Sequence, residues 1–267
     1  DTKFPVIKFR KLNLKCLKLT FPFHITIGHS SILVHSITEL LAYFAGFRYF
    51  LFLKKRRSDP ISAENRTWIF IGAIFGSLLG SRLLGGFENY PELLKSHNWL
   101  MEFYYNKTIL GGLLGGLWGV EITKKIIGEK KSSGDLFVYP LIIAMIIGRI
   151  GCFSMGVFEE TYGIPTTLPW GMHLGDKYLR HPVALYEIIF LAALWVSLAF
   201  IEKHRKLESG MLFKIFMISY LVFRFLQDFI KPHYTWPFGL SSIQTACLIG
   251  LLYYLYILPA RKIILTK

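Results

Sequence analysis

Seven apolar segments dominate this chain: roughly Ile32–Leu53, Trp68–Leu84, Thr108–Ile122, Leu136–Phe153, Val183–Ile201, Met211–Ile230 and Leu240–Leu258. A helix needs about 20 mostly apolar residues to cross the hydrocarbon of a bilayer, and the third segment is the shortest. Bare backbone polar groups are not tolerated in lipid, so such runs fold as helices. The expectation is an all-α integral membrane protein with about seven transmembrane helices. Composition agrees. The chain is 53% hydrophobic and only 18% charged, against about 25% charged for a soluble domain. Disorder, a secreted disulfide scaffold and an ordinary cytosolic enzyme are excluded. Cys16, Cys152 and Cys247 are odd in number and include no C-x-x-C pair, so their spacing suggests neither a disulfide framework nor a zinc site.

The connecting loops sort by charge. Twelve basic residues fall in loops 54–66, 124–131 and 203–206, whereas the alternate loops hold six: Arg82, Lys95, Lys107, Lys177, Arg180 and Lys231. Under the positive-inside rule the richer set is cytoplasmic. Seven spans then place the N-terminus outside and the C-terminus inside, with structured periplasmic loops at 85–107 and 154–182. The net charge of +14 thus reports topology, and no nucleic-acid partner is expected. The chain divides into a basic N-terminal interfacial arm (1–30), a seven-helix membrane domain (31–260) and a basic cytoplasmic tail (261–267). The arm, with Lys3, Lys8, Arg10, Lys11, Lys15 and Lys18, is the exception to the charge rule. It reads as a strand or surface arm on anionic headgroups, in preference to an eighth crossing.

Two helices carry glycine every fourth residue: Gly72, Gly76 and Gly80, then Gly111, Gly115 and Gly119. Small residues on one face let helix backbones approach closely, so packing is the expected role. Ionisable groups within or beside the spans are more informative, because they are costly in lipid and face a cavity or a partner. These are Glu39, Arg82, Arg149, Glu187, Arg224 and Asp228. Arg224 and Asp228 lie four apart on one helix face and are placed to pair. Mutual neutralisation accounts readily for Glu39 and Asp228, but less well for Arg149 and Arg224. A guanidinium is a planar fork suited to phosphate oxygens, so two of them in a lipid-accessible cavity suit a phospholipid headgroup. His181, before Pro182, reads first as a turn residue.

Several motifs at these residues resemble the prolipoprotein diacylglyceryl transferase family. The strongest runs from Gly148-Arg149-Ile150-Gly151 through Cys152-Phe153 to Gly156. Arg180-His181-Pro182 with Leu185-Tyr186-Glu187 is similar to a second family motif. Gly80-Ser81-Arg82 with Phe87–Pro91, Arg224-Phe225 with Asp228-Phe229, and Gly239-Leu240 with Gln244 follow the same order. The resemblance implies a multi-pass enzyme of the bacterial cytoplasmic (inner) membrane, with its active site facing the periplasm and the bilayer. It implies transfer of the diacylglyceryl group of phosphatidylglycerol to the lipobox cysteine of a prolipoprotein signal peptide. The products would be a thioether and glycerol 1-phosphate, with no cofactor and no metal. Carried over, Arg149 and Arg224 hold the phosphate, while Arg82, Tyr186 and Glu187 shape or balance the site. Gly148, Gly151, Gly156 and Asp228 join the substrate-binding set.

The departures bear on the chemistry. The family's histidine-glycine-glycine is Leu110-Gly111-Gly112 here, its two asparagines are Cys152 and Met155, and its glutamate is Val157. Glu159 and Glu160 stand close enough to restore the carboxylate. Displacing a phosphate from carbon by a thiol needs charge stabilisation on the leaving phosphate, for which Arg149 and Arg224 fit. It also needs a thiolate from a group of pKa near 8.5, for which Lys107, His181 and Glu187 are the candidate bases. Cys152 reads as packing in preference to a covalent nucleophile. Two alternatives stay open: a relative acting on another acceptor, and one that only binds phospholipid. A transporter would show paired repeats, and none is evident.

Overall fold

The computed structural model describes residues 21–27, 30–57, 59–88 and 90–257. The basic stretch Lys3–Lys18 and the tail 261–267 lie outside the described residues. Every one of the seven apolar segments becomes a helix: α1 (Val34–Arg56), α2 (Ala63–Glu88), α5 (Ile109–Ile127), α6 (Val138–Met155), α7 (Val183–His204), α8 (Met211–Asp228) and α9 (Ser242–Ile257). Between α2 and α5 lie two short helices, α3 (Tyr90–Lys95) and α4 (Trp99–Tyr105). Four of the helices, α1, α2, α6 with its flanking turns and α7, are long and apolar enough to cross a membrane. The third segment is longer than its apolar run suggests. α5 starts where Thr108 Oγ1 accepts the Gly111 amide at 3.1 Å, and it ends on Gly128 in the left-handed region at φ 71°.

The chain is not helical throughout. Strands β1 (His24–Ile27) and β2 (Ser30–Leu33) form an antiparallel hairpin that leads into α1. It is fastened to the end of α6 by the Phe23 amide, which donates to the Ser154 carbonyl at 2.8 Å. In the long loop after α6, β3 (Met172–His173) pairs with β4 (Leu179–Arg180). Arg180 organises this loop. Its guanidinium donates to Asp176 Oδ2 at 2.7 and 2.9 Å, reaches the Gly163 carbonyl, and lies over the Tyr162 ring. The hydrogen bond from Arg180 holds the Asp176 carboxyl below its usual range.

The glycine spacing is explained by packing. α2 and α5 lie backbone to backbone, and a methyl group on Gly76 would run into the Gly115 carbonyl oxygen, as one on Gly115 would into that of Gly76. Gly72 faces Gly119, and Gly80 faces Gly111, in the same way. Ser77 Oγ adds a hydrogen bond to the Gly112 carbonyl at 2.7 Å.

The main apolar core lies between α1, α6, α7, α8 and α9, around Phe50, Ile142, Leu191, Leu198, Phe216, Met217 and Leu221. One end of the bundle is closed by polar links. Arg66 donates to both Asp59 oxygens and to the Ser133 carbonyl, and Glu202 accepts from Arg57 and from the Tyr139 hydroxyl. Asp135 caps α8 by accepting the Gly210 and Phe213 amides at 2.5 and 3.0 Å. These links gather where α1 and α7 end and where α2, α6 and α8 begin.

Candidate active site

At the opposite end, three helices bring charge into the interior. Arg149 lies near the C-terminal end of α6, Glu187 near the start of α7 and Arg224 near the end of α8. Because these helices alternate in direction, all three positions fall at one end of the bundle. They are buried, with relative exposures of 8%, 1% and 5%. Glu187 is the hub. Its Oε2 lies 2.9 Å from Arg149 Nε and 3.7 Å from Arg224 Nη1, while its Oε1 accepts the Tyr220 hydroxyl at 2.8 Å. Arg149 Nε is close to the carboxylate but off the N–H axis, so that contact is an ion pair without an aligned hydrogen bond. Arg224 Nη1 also donates to Gln227 Oε1, and Gln227 in turn donates to the Val183 carbonyl at 2.8 Å. Arg224 Nε is buried with no acceptor among the described residues.

The charges within ion-pair distance do not balance: two guanidiniums meet one carboxylate. Asp228 does not correct this by pairing with Arg224, as their spacing suggested. Among the described residues it is instead the acceptor of the Ser241 hydroxyl at 2.5 Å, with His233 3.8 Å away. Ser241 is thereby fixed as the cap of α9, where its hydroxyl accepts the Gln244 amide and Gln244 Oε1 accepts the Ser241 amide, each at 3.0 Å. This reciprocal pair is a capping box. A helix end competes for Asp228, and the ion pair loses.

Other candidates gather nearby or elsewhere. A methyl on Gly151 would strike Thr38 Oγ1 and approach His35 Nδ1, so this glycine lets α6 close on α1. Gly156 has φ 60° and turns the chain out of α6, whereas a side chain at Gly148 would meet open space. The Tyr186 hydroxyl is 3.2 Å from His181 Nδ1 and accepts the Trp170 indole N–H at 2.9 Å. Lys107 Nζ is paired with Glu39 Oε1 at 2.5 Å. Arg82 donates to the Tyr104 carbonyl and lies over that ring. Among the described residues, no hydrogen bond or ion pair joins Lys107, His181 or Arg82 directly to Arg149 or Arg224.

The prolipoprotein diacylglyceryl transferase pattern matches residues 22–259. The chain belongs to that family. Phosphatidylglycerol–prolipoprotein diacylglyceryl transferases similar to it include one from Nitratidesulfovibrio vulgaris strain DP4, 32% identical over 181 aligned positions, with 62% of each chain covered. Another from Idiomarina loihiensis is 30% identical over 72% of this chain and 74% of its own. A third, from Wolbachia pipientis subsp. Culex pipiens, is 32% identical over 90% of this chain and 96% of its own. The match to the Nitratidesulfovibrio relatives thus spans less than two thirds of their length.

Four residues that matter in this family member were not singled out from sequence: Tyr220 and Gln227, which hold Glu187 and Arg224, and His35 and Thr38 on α1. The first two carry a local signal, since they stand four before and three after Arg224 on one helix face. His35 stands four before Glu39, and its Nε2 is 3.9 Å from Glu39 Oε2.

Proposed function

We propose that this protein transfers the diacylglyceryl group of phosphatidylglycerol to the thiol of a prolipoprotein lipobox cysteine, releasing glycerol 1-phosphate. The observation that carries the reading is the unbalanced knot of Arg149, Glu187 and Arg224. Two buried guanidiniums share one close carboxylate, with Asp228 acting on Arg224 from beyond ion-pair distance, and a phosphodiester with a single negative charge would supply a second close counter-ion. Arg224 Nε, which has no acceptor among the described residues, is available to such a ligand. Glu187 and Tyr220 hold the two forks in place before substrate arrives, so that little reorganisation is needed as charge builds on the departing phosphate.

The thiol needs a base. Glu187 is occupied as the counter-ion of both arginines, and Lys107 is held in an ion pair with Glu39. His181 is the remaining candidate. With Nδ1–H donating to the Tyr186 oxygen, Nε2 would take the thiol proton.

The topology belongs to the same reading. Seven crossings, an outer N-terminus and a cytoplasmic C-terminus would set the arginine knot toward the periplasmic half of the inner membrane, with the Arg66–Asp59 end in the cytoplasm. The basic arm 1–30 and tail 261–267 would flank the membrane domain. The purified protein, given labelled phosphatidylglycerol and a lipobox peptide, should form thioether-linked peptide and glycerol 1-phosphate in equal amounts. Glycerol phosphate without lipidated peptide would point to another acceptor. No release at all would leave a lipid-binding relative.

A further inference from the structure

Next to the arginine knot, three side chains distant in sequence converge. His35 comes from the first turn of α1, Cys152 from α6, and Glu159 from the loop just beyond α6. One ligand atom from each lies within 4.8 Å of the others. His35 Nδ1 and Glu159 Oε2 are 3.2 Å apart, and Cys152 Sγ is 4.0 Å from Glu159 Oε1. Ligands on a tetrahedral zinc ion, at about 2.0–2.3 Å each, stand about 3.3–3.7 Å from one another. The His35–Glu159 separation is therefore that of a coordination sphere, and the other separations would have to shorten by up to about 1 Å to close it.

A second observation separates this group from an ordinary polar cluster. His35 Nδ1 and Glu159 Oε2 are both shielded from solvent, face each other, and yet form no hydrogen bond. Neither atom has an aligned hydrogen-bond partner among the described residues, so both are open to a shared cation. The surroundings supply the outer shell such a site needs. His35 Nε2 faces Glu39 Oε2 at 3.9 Å, and Lys107 fixes the other oxygen of Glu39. Carboxylates behind a ligand histidine set its ring orientation and tautomer.

We infer that His35, Cys152 and Glu159 bind a borderline-soft divalent cation, with zinc as the best fit to a nitrogen, sulfur and oxygen donor set. Charge is the obvious objection, because Arg149 Nη1 lies 3.6 Å from Cys152 Sγ. It is met by the ligands. A thiolate and a carboxylate neutralise the dication, so Arg149 faces a coordination unit with no net charge. A metal-bound thiol is deprotonated outright, and the thiolate would remain an acceptor for Arg149. Three protein ligands leave one tetrahedral position to water. The ion would pin α1 to the end of α6, beside the arginine, and its binding does not depend on the transfer reaction proposed above.

The test uses the full-length protein in detergent, stripped with chelator and titrated with Co2+. The expected result is one Co2+ per chain with a thiolate-to-cobalt charge-transfer band. Cys152→Ser should lose that band, and His35→Ala and Glu159→Gln should weaken Co2+ binding at least about ten-fold, with unchanged helicity. In the unsubstituted protein, saturating Zn2+ should slow alkylation of Cys152 about ten-fold or more. A wild-type titration without the band, a band that survives Cys152→Ser, or alkylation indifferent to Zn2+ would overturn the inference. None of these readouts involves transfer, so their failure leaves the proposed reaction standing, and failure of the reaction leaves the metal site standing.

Discussion

Two regions of this molecule solve helix packing in opposite ways. Between α2 and α5, side chains are removed: glycine faces glycine, and the backbones touch. Among α6, α7 and α8, side chains of high cost are added, and two arginines close on one glutamate. In hydrocarbon no hydrophobic drive pulls helices together, so close van der Waals contact is the simple way to join them. The glycine seam uses that solution and has no further chemistry. The charged knot takes on a desolvation cost that packing alone does not require, and this difference marks it as the place where a ligand acts.

Removing the hub of the knot should have the largest effect. Glu187→Ala removes the one carboxylate that both buried guanidiniums share, and breaking such a cluster costs about 3–5 kcal/mol. Thermal unfolding in detergent should show that loss, together with loss of transfer. If stability were unchanged, the knot would not hold charge in the way described. Gly115→Ala comes next. A methyl group directed at a backbone carbonyl has nowhere to move, and overpacking of this kind costs about 1–3 kcal/mol. The contrast is sharpened by activity: the folded fraction of Gly115→Ala should transfer at a normal rate, since no residue of the knot touches the seam.

Tyr220→Phe removes one hydrogen bond to a buried carboxylate, a loss of about 1.5 kcal/mol. It should lower the unfolding temperature modestly and reduce transfer through looser positioning of Glu187. Full activity with a lowered unfolding temperature would make Tyr220 purely structural.

The smallest effect concerns the ion pair at the other end of the bundle. Burial raises the Asp59 pKa, but the hydrogen bonds from Arg66 and the Ile61 amide outweigh it, and the carboxyl sits below the ordinary 3.8. A group whose folded pKa is depressed stabilises the protein above its unfolded value, and that stability is lost as pH falls through the folded one. Asp59→Asn should therefore reduce the drop in unfolding temperature below about pH 4, with transfer at neutral pH unaffected. An identical acid limb in both proteins would remove Asp59 from the account.

The same contrast explains how much could be read from the chain. The seam was legible because its signal is local: a four-residue glycine period on two segments is a property of each helix alone. The seven helices followed from apolar length for the same reason. Arg149, Glu187 and Arg224 stood out because charge within an apolar run is conspicuous, although their meeting at one carboxylate is a tertiary fact. Asp228 shows where spacing misleads. Four residues from Arg224 it is placed to pair, yet the start of α9 takes its oxygen through Ser241, a competition between elements that the spacing within one helix does not show. His35 and Glu159 were hidden for another reason. They lie 124 positions apart, so metal-ligand spacing within one segment, the usual guide, has nothing to report.

The central claim is that Arg149 and Arg224 together hold the phosphate whose departure drives transfer. The direct test is the rate of diacylglyceryl transfer from phosphatidylglycerol to a lipobox peptide in Arg224→Ala, whose Glu187 keeps Arg149 as its partner. A folded variant slowed by about 100-fold or more, the usual effect of removing one charge-directed donor, is the predicted result. A folded variant turning over within about twofold of the unsubstituted rate, less than one donor contributes, would contradict the account.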